Sequence, residues 1–244
     1  MYTLYDYGWM INDSVRTDAY AQALRQAVKP GSVVLDIGTG TGIFALLACR
    51  FGARRVFAIE PDDVIQVARK IAAANGYADR VEFIQDLSTR VTLPEPADVI
   101  VSDIRGQLPV YGHSLLSIID ARRRFLAPGG SLIPQCETLW AAVVEAPKLH
   151  SCYTTPWGEN KYGFDMRPAL RFVTNSWHSG RVEPEQLLVE PRCWATLDYS
   201  SLESPDVSGT VSWTTARSGT AHGLSVWFDT RLAEGVGGFF RRTL

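Results

Sequence analysis

Three glycines stand at alternate positions in Asp36–Ile37–Gly38–Thr39–Gly40–Thr41–Gly42, directly after the apolar run Val33–Leu35. Twenty residues after Gly40, a second apolar run, Arg55–Val56–Phe57–Ala58–Ile59, ends in Glu60. Glycine is required where the backbone takes a positive φ or lies against a ligand with no Cβ between them. A dinucleotide fingerprint needs its third glycine at position 43, which is Ile43, and a phosphate-cradling loop needs a Gly-Lys-Ser/Thr triplet that is absent. The remaining reading is the G-x-G-x-G turn that binds S-adenosyl-L-methionine (SAM), set against a glycine-rich turn with no ligand. Glu60, at the tip of a second strand, is placed to accept hydrogen bonds from both hydroxyls of a ribose. Asp86 follows a third apolar run, Val81–Ile84; it is placed to reach an adenine amino group or to act as a surface turn acid.

These residues need buried strands feeding helices, and the first half of the chain is patterned that way. Strands over 33–37, 55–60, 81–84, 98–102 and 131–134 alternate with helices over 43–51, 62–75 and 113–126, which predicts a doubly wound parallel sheet. After Pro134 the texture changes. Thr138–Val144, Leu187–Leu197, Thr210–Thr215 and Gly223–Asp229 alternate like half-buried antiparallel strands around a Trp/Tyr/Pro/Gly-rich stretch from Pro156 to Pro184. The expected architecture is α/β: a Rossmann-like domain over 1–134 with a short N-terminal helical segment, then a partial β-barrel domain over 135–244. The 244 residues hold 46% hydrophobic and 20% charged side chains, the balance of an ordinary globular protein. A net charge of −2 gives no basic field for nucleic acid or an anionic membrane. Four separated cysteines show no metal spacing and fit reduced thiols in the cytoplasm. The chain lacks the pattern of a signal peptide and any 18-residue apolar run.

The chain resembles the protein arginine methyltransferases from Met10 to about Asp229. The resemblance is carried by Ser14–Tyr20, by Val34–Phe44, by Gly52–Val56 with Ile59–Glu60, and by Ala121–Arg122 with Leu126–Gly130. Its most specific stretch is Trp157–Gly158–Glu159–Asn160–Lys161–Tyr162–Gly163–Phe164–Asp165–Met166. The resemblance implies that Arg16 holds the SAM carboxylate, that Gly38 and Gly40 admit its methionine part, and that Asp36 orders the turn. It implies that Glu60 binds the ribose and that Met10 packs beside the acceptor. A family glutamate that contacts adenine aligns with Thr89, which leaves Asp86, Leu87 and Ser88 as local candidates. It also implies a homodimer through a helical arm, here about 147–185.

The departures bear on the acceptor, which is a protein or a small molecule. The family's catalytic loop carries two glutamates. Here Asp103 stands at the first position, Gly112 at the second, and Arg105 replaces an apolar residue. Losing one carboxylate and gaining one cation would weaken guanidinium binding by roughly 3–6 kcal/mol if both groups face the site, and by the first contribution alone if Arg105 points to solvent. His113 is an alternative base or a surface residue at a helix start. The family pattern continues beyond Asp229 with further barrel strands and a Thr-His-Trp loop, whereas Gly235–Leu244 matches none of it, so a shortened barrel is expected. The expected reaction is methyl transfer from SAM to a nitrogen acceptor, with Asp103 orienting the acceptor and no metal. The alternatives are a non-arginine acceptor or a SAM-binding protein without activity.

Overall fold

The computed structural model describes residues 2–158, 160, 162–215 and 217–238. The C-terminal stretch Phe239–Leu244, and Glu159 and Lys161 of the Trp157–Met166 motif, lie outside the described residues. The chain divides into two compact units. The first takes in the chain up to Glu137 and returns as Thr196–Val207 and again from Asp229; the second holds Thr138–Ala195 and Ser208–Phe228.

The first unit opens with two helices, α1 (Leu4–Asn12) and α2 (Ser14–Ala27). Thr3 and Asp6 form a reciprocal capping box at the start of α1, and Asp13 caps α2 through the backbone N–H of Arg16. The sheet follows as β1 (Val33–Ile37), α3 (Ile43–Arg50), β2 (Arg55–Ile59), α4 (Ile65–Ala74), β3 (Val81–Ile84), β4 (Ala97–Ser102), α5 (Ser114–Phe125) and β5 (Leu126–Ile133). The strand order is β3-β2-β1-β4-β5, parallel throughout, with β1 buried at all five positions. Strands covered on both faces read as continuous apolar runs, which is why Val33–Ile37 and Val56–Ile59 stand out in the sequence. The chain order reverses across β1, and its last residue, Ile37, is in register with Ile59 of β2 and Ser102 of β4. Crevices at the carboxyl ends of such strands are where open α/β sheets take ligands.

β5 differs from the expected strand over 131–134. It runs through Pro128–Gly129–Gly130 because Gly130 has no Cβ to collide with the Asp98 carbonyl, 3.0 Å from where one would sit, and the register shifts between Ala97 and Val99.

The remaining strands are β6 (Cys136–Val144), β7 (Arg192–Asp198), β8 (Gly223–Ala233) and β9 (Val236–Gly238), in the order β7-β6-β8-β9. β8 pairs antiparallel with β9. The expected strand over Leu187–Leu197 begins only at Arg192: Pro191 has no N–H to offer a ladder, and Leu187 makes a single bridge to Val144. Thr210–Thr215 forms no regular strand, although Val211 and Trp213 are half-buried between exposed neighbours; Trp213 Nε1 donates to the Glu190 carbonyl at 3.0 Å instead.

Within the second unit, α6 (Pro147–Gly158) and the short α7 (Leu170–Val173) flank the described part of the Trp157–Met166 motif. Asn160 folds that segment: Nδ2 donates to the Phe164 carbonyl at 2.7 Å, and Oδ1 accepts from the Tyr162 N–H at 3.1 Å. Tyr162 and Phe164 are each 72% exposed. No described helix is long and apolar enough to cross a membrane.

Candidate functional site

A cleft of about 330 Å3 opens at the carboxyl ends of β1 and β2 in the first unit. It is lined by Tyr2, Tyr7, Met10, Arg16, Gly38, Gly40, Phe44, Glu60, Asp62, Asp103 and Ile104, among others. The sequence-derived set Met10, Arg16, Gly38, Gly40, Glu60 and Asp103 therefore meets in one place. Asp86, Leu87 and Ser88 do not line it. Leu87 donates its N–H to Asp86 Oδ1 at 2.7 Å, and the Ser88 carbonyl is held by Arg124 at 2.8 Å. His113 precedes α5, exposed and off the cleft.

The glycine turn takes its shape from two acids. Asp36 is buried and accepts from Thr39 Oγ1 at 2.6 Å and from the Ala45 N–H at 3.1 Å, tying the turn to the first turn of α3. Its Oδ1 is buried without a partner, and burial pushes its carboxyl up to about 7. Glu60 Oε2 accepts the Gly40 N–H at 3.0 Å and Oε1 accepts the Asp62 N–H at 3.1 Å. Burial raises the Glu60 carboxyl, with these two N–H groups opposing it. Each oxygen of a carboxylate has a second lone pair, so Glu60 can hold the turn and still accept two hydroxyls. Gly38 and Gly40 both take positive φ, +72° and +54°. A Cβ on Gly38 would lie 2.3 Å from Ile104 Cγ2, and one on Gly40 would lie 2.5 Å from the Tyr7 ring.

Tyr7 comes from α1, part of the expected N-terminal helical segment, whose start the Thr3/Asp6 capping box fixes. Burial raises its phenol to about 12, so it faces Glu60 neutral. Tyr5 and Trp9 of the same helix point away, 72% and 60% exposed.

Asp103 lies between two guanidinium groups. Arg16 Nε donates to Oδ2, while Arg105 donates to Oδ1 from Nη2 at 2.5 Å and from Nε at 3.1 Å. Arg16 also reaches the Met10 carbonyl at 3.1 Å. Burial acts to raise the Asp103 carboxyl, but the charges of Arg105 and Arg16 outweigh it and hold it below its ordinary value. Arg105 neither points to solvent nor lines the cleft wall. It is 3% exposed, and its Nη1 donates to Glu137 Oε1 at 2.7 Å and to Thr230 Oγ1 at 2.6 Å. Its Nη2 donates to the Tyr20 hydroxyl at 2.9 Å, which itself donates to the Ser102 carbonyl at 3.0 Å. The Tyr199 hydroxyl completes the network by donating to Glu137 Oε2 at 2.5 Å. Sequence reasoning missed Glu137, Tyr199 and Thr230. The available signal was the period of β6: Glu137 shares a face with the fully buried Leu139, and an acid on a buried face needs a cation. Gly112 takes φ +82° with open space around it, so a glutamate there would have room but a strained backbone.

The doubly wound sheet, the glycine turn and the ribose-competent acid define a Rossmann-like domain of the methyltransferase class. Residues 16–134 match the model described as ribosomal protein L11 methyltransferase (PrmA), and residues 135–238 match the arginine methyltransferase oligomerization subdomain. Protein arginine N-methyltransferase 6 of Xenopus tropicalis is 32% identical over 232 residues, covering 90% of this chain and 68% of that protein. The probable protein arginine N-methyltransferase 6 of Arabidopsis thaliana is 31% identical over 233 residues; the match covers 92% of this chain and about half, 53%, of that protein. The Trypanosoma brucei PRMT1 enzyme–prozyme heterotetrameric complex with AdoHcy superimposes with a TM-score of 0.83 at 26% identity, covering 93% of this chain and 73% of that one. Arabidopsis thaliana protein arginine methyltransferase 10 superimposes with a TM-score of 0.78 at 25% identity, covering 99% and 75%. The chain belongs to the protein arginine N-methyltransferase family.

Proposed function

We propose that this chain is a SAM-dependent N-methyltransferase, acting in the cytoplasm, whose cofactor lies in the cleft of the first unit. The observation that carries this reading is Glu60: it braces the glycine turn through Gly40 and keeps lone pairs for a ribose diol, in a cleft that also holds Arg16. The similar Trypanosoma brucei complex contains AdoHcy, the product form of that cofactor. In this reading Arg16 takes the methionine carboxylate through charge-assisted hydrogen bonds. Gly38 and Gly40 let the backbone approach the methionine part, and Asp36 orders the turn. The adenine falls towards the segment after β3, where Asp86, Leu87 and Ser88 stand. When bound, SAM supplies a methyl group on an already activated sulfonium. The chain's part is position and electrostatics: Met10 packs beside the acceptor, and Asp103 orients its nitrogen and offsets charge developing there. The catalytic and accessory portions divide at Pro134. A non-arginine acceptor, or binding without turnover, is the second reading, favoured by the two guanidinium groups already on Asp103.

Calorimetry tests the placement. Glu60→Ala removes a charged acceptor from two hydroxyls, and each such bond contributes about 1.5–3 kcal/mol. The expected result is a loss of SAM affinity of at least tenfold. Unchanged affinity would remove the cofactor from this cleft.

We further propose a homodimer through the arm over about 147–185. The matched oligomerization subdomain supports it, as do the exposed side chains of Tyr162, Phe164, Phe172 and Trp177 on the second unit. Large apolar side chains each gain roughly 1.5–3 kcal/mol on full burial. Sedimentation is expected to give twice the 27.0 kDa chain mass and a shift towards monomer in Phe164→Asp. A monomer at micromolar concentration, unaffected by that change, would contradict it.

A further inference from the structure

A groove of about 380 Å3 lies within the second unit, bounded by α6, the segment after α7 and the start of β8. Three of the chain's four histidines line it. The rings of His150 on α6 and His222 at the foot of β8 stand 5.3 Å apart between centroids, tilted by 58°. His178 is already used: its ring stacks on Tyr153 at 3.8 Å, and its Nε2 meets the Val173 carbonyl at 3.1 Å. The four hydroxyls of the groove, on Tyr153, Thr154, Thr174 and Ser176, each donate to a backbone carbonyl. No charged side chain lines it among the described residues. Glu145, the carboxylate beside His222, is held by Arg217 and by the Thr220 N–H. The rest of the wall is apolar, built from Val144, Leu149, Val173 and Val226 among others.

We propose that this groove binds a small organic acid, its carboxylate between His150 and His222 and its aliphatic or aromatic body on the apolar wall. Nδ1 of His222 is buried without a partner. The tautomer with its proton on Nε2 leaves only a lone pair there and turns an N–H to the groove. What the groove offers is therefore N–H groups with no carboxylate to receive them, which calls for a ligand that brings acceptors. A carboxylate has two oxygens for two imidazoles, and its charge strengthens both bonds. A cationic ligand would find no counter-charge on these walls. The volume is that of a small-molecule site, with a largely apolar lining and few polar groups.

The test uses the full chain carrying isotope-labelled histidine, with cinnamate as the probe and cinnamamide as its uncharged match. No histidine lines the cleft of the first unit, and His113 lies off both cavities, so the ring signals report on this groove and carry their own control. Cinnamate is expected to move the His150 and His222 signals at millimolar concentration or below and to leave His113 still. Cinnamamide is expected to bind roughly tenfold more weakly. His222→Phe keeps the bulk of the ring without its N–H and is expected to weaken cinnamate roughly tenfold or more. His150→Phe, at an exposed position, makes the same comparison should the first variant fail to fold. Ring signals that do not move, His113 moving with the others, equal binding of acid and amide, or unchanged affinity in the folded variant would each overturn the proposal.

Discussion

Glu137→Ala is expected to destabilise the chain by about 3–5 kcal/mol, because it leaves the buried Arg105 to share the single carboxylate of Asp103 with Arg16. Arg105 is 3% exposed and stays charged: burial acts to lower its proton affinity, and Tyr20, Asp103 and Glu137 together outweigh that. Glu137 is itself fully buried, and burial raises its carboxyl against the pull of Arg105. Removing Glu137 leaves Asp103 as the remaining carboxylate on Arg105 and takes the Tyr199 hydroxyl's acceptor away. Replacing both charges together behaves differently, since a buried ion pair often gains little over neutral groups of similar volume once desolvation is counted. Arg105→Met with Glu137→Gln keeps an acceptor for Tyr199 and is expected to recover most of the loss. Urea unfolding of wild type, single and double variants reads this directly. A Glu137→Ala variant as stable as wild type would mean that the network does not hold the first unit together.

The glycine turn and its acid brace were legible because they are local. Asp36, Gly38, Gly40 and Glu60 sit on two consecutive strand ends, and a spacing of twenty residues is enough to bring Glu60 onto the Gly40 N–H. Arg16 needed the resemblance of Ser14–Tyr20, since an arginine near the start of a helix has no signature of its own. The surroundings of Asp103 were not legible, because Arg105 beside it finds its further partners at sequence separations of 32, 85 and 125 residues. Neither orientation anticipated from the sequence, into the cleft or out to solvent, is the one it takes; the third choice exists only once β6, α2 and β8 are folded around it. The strand limits failed for a related reason. Alternation reports which face is buried, as it does at Val211 and Trp213, but not whether a neighbouring strand is there to pair.

Gly40→Ala is expected to lower cofactor affinity by roughly 10- to 100-fold. The residue sits at φ +54°, where an L side chain costs about 1–2 kcal/mol. Its Cβ would also lie 2.5, 3.1 and 3.3 Å from three atoms of the Tyr7 ring, so α1 or the turn has to shift. A shifted turn loses the Gly40 N–H bond to Glu60 and with it the aim of the carboxylate. Each tenfold change corresponds to about 1.4 kcal/mol, so strain and displacement together account for the range. Gly76→Ala is the matched control: its φ is +74°, but a Cβ there meets nothing within 4 Å and the residue lies off the cleft. It is expected to cost stability and leave affinity as it is. Equal affinity losses in the two variants would show that the effect is general destabilisation rather than the geometry of the turn.

The central claim is that SAM lies against the glycine turn between Arg16 and Glu60, and photo-crosslinking of labelled SAM followed by peptide mapping tests it most directly. Label is expected on peptides containing Tyr7–Arg16, Gly38–Phe44 or Glu60–Asp62, the segments that line the cleft, and is expected to disappear with excess S-adenosylhomocysteine. No specific label, or label confined to peptides from Thr138–Ala195 of the second unit, would contradict it.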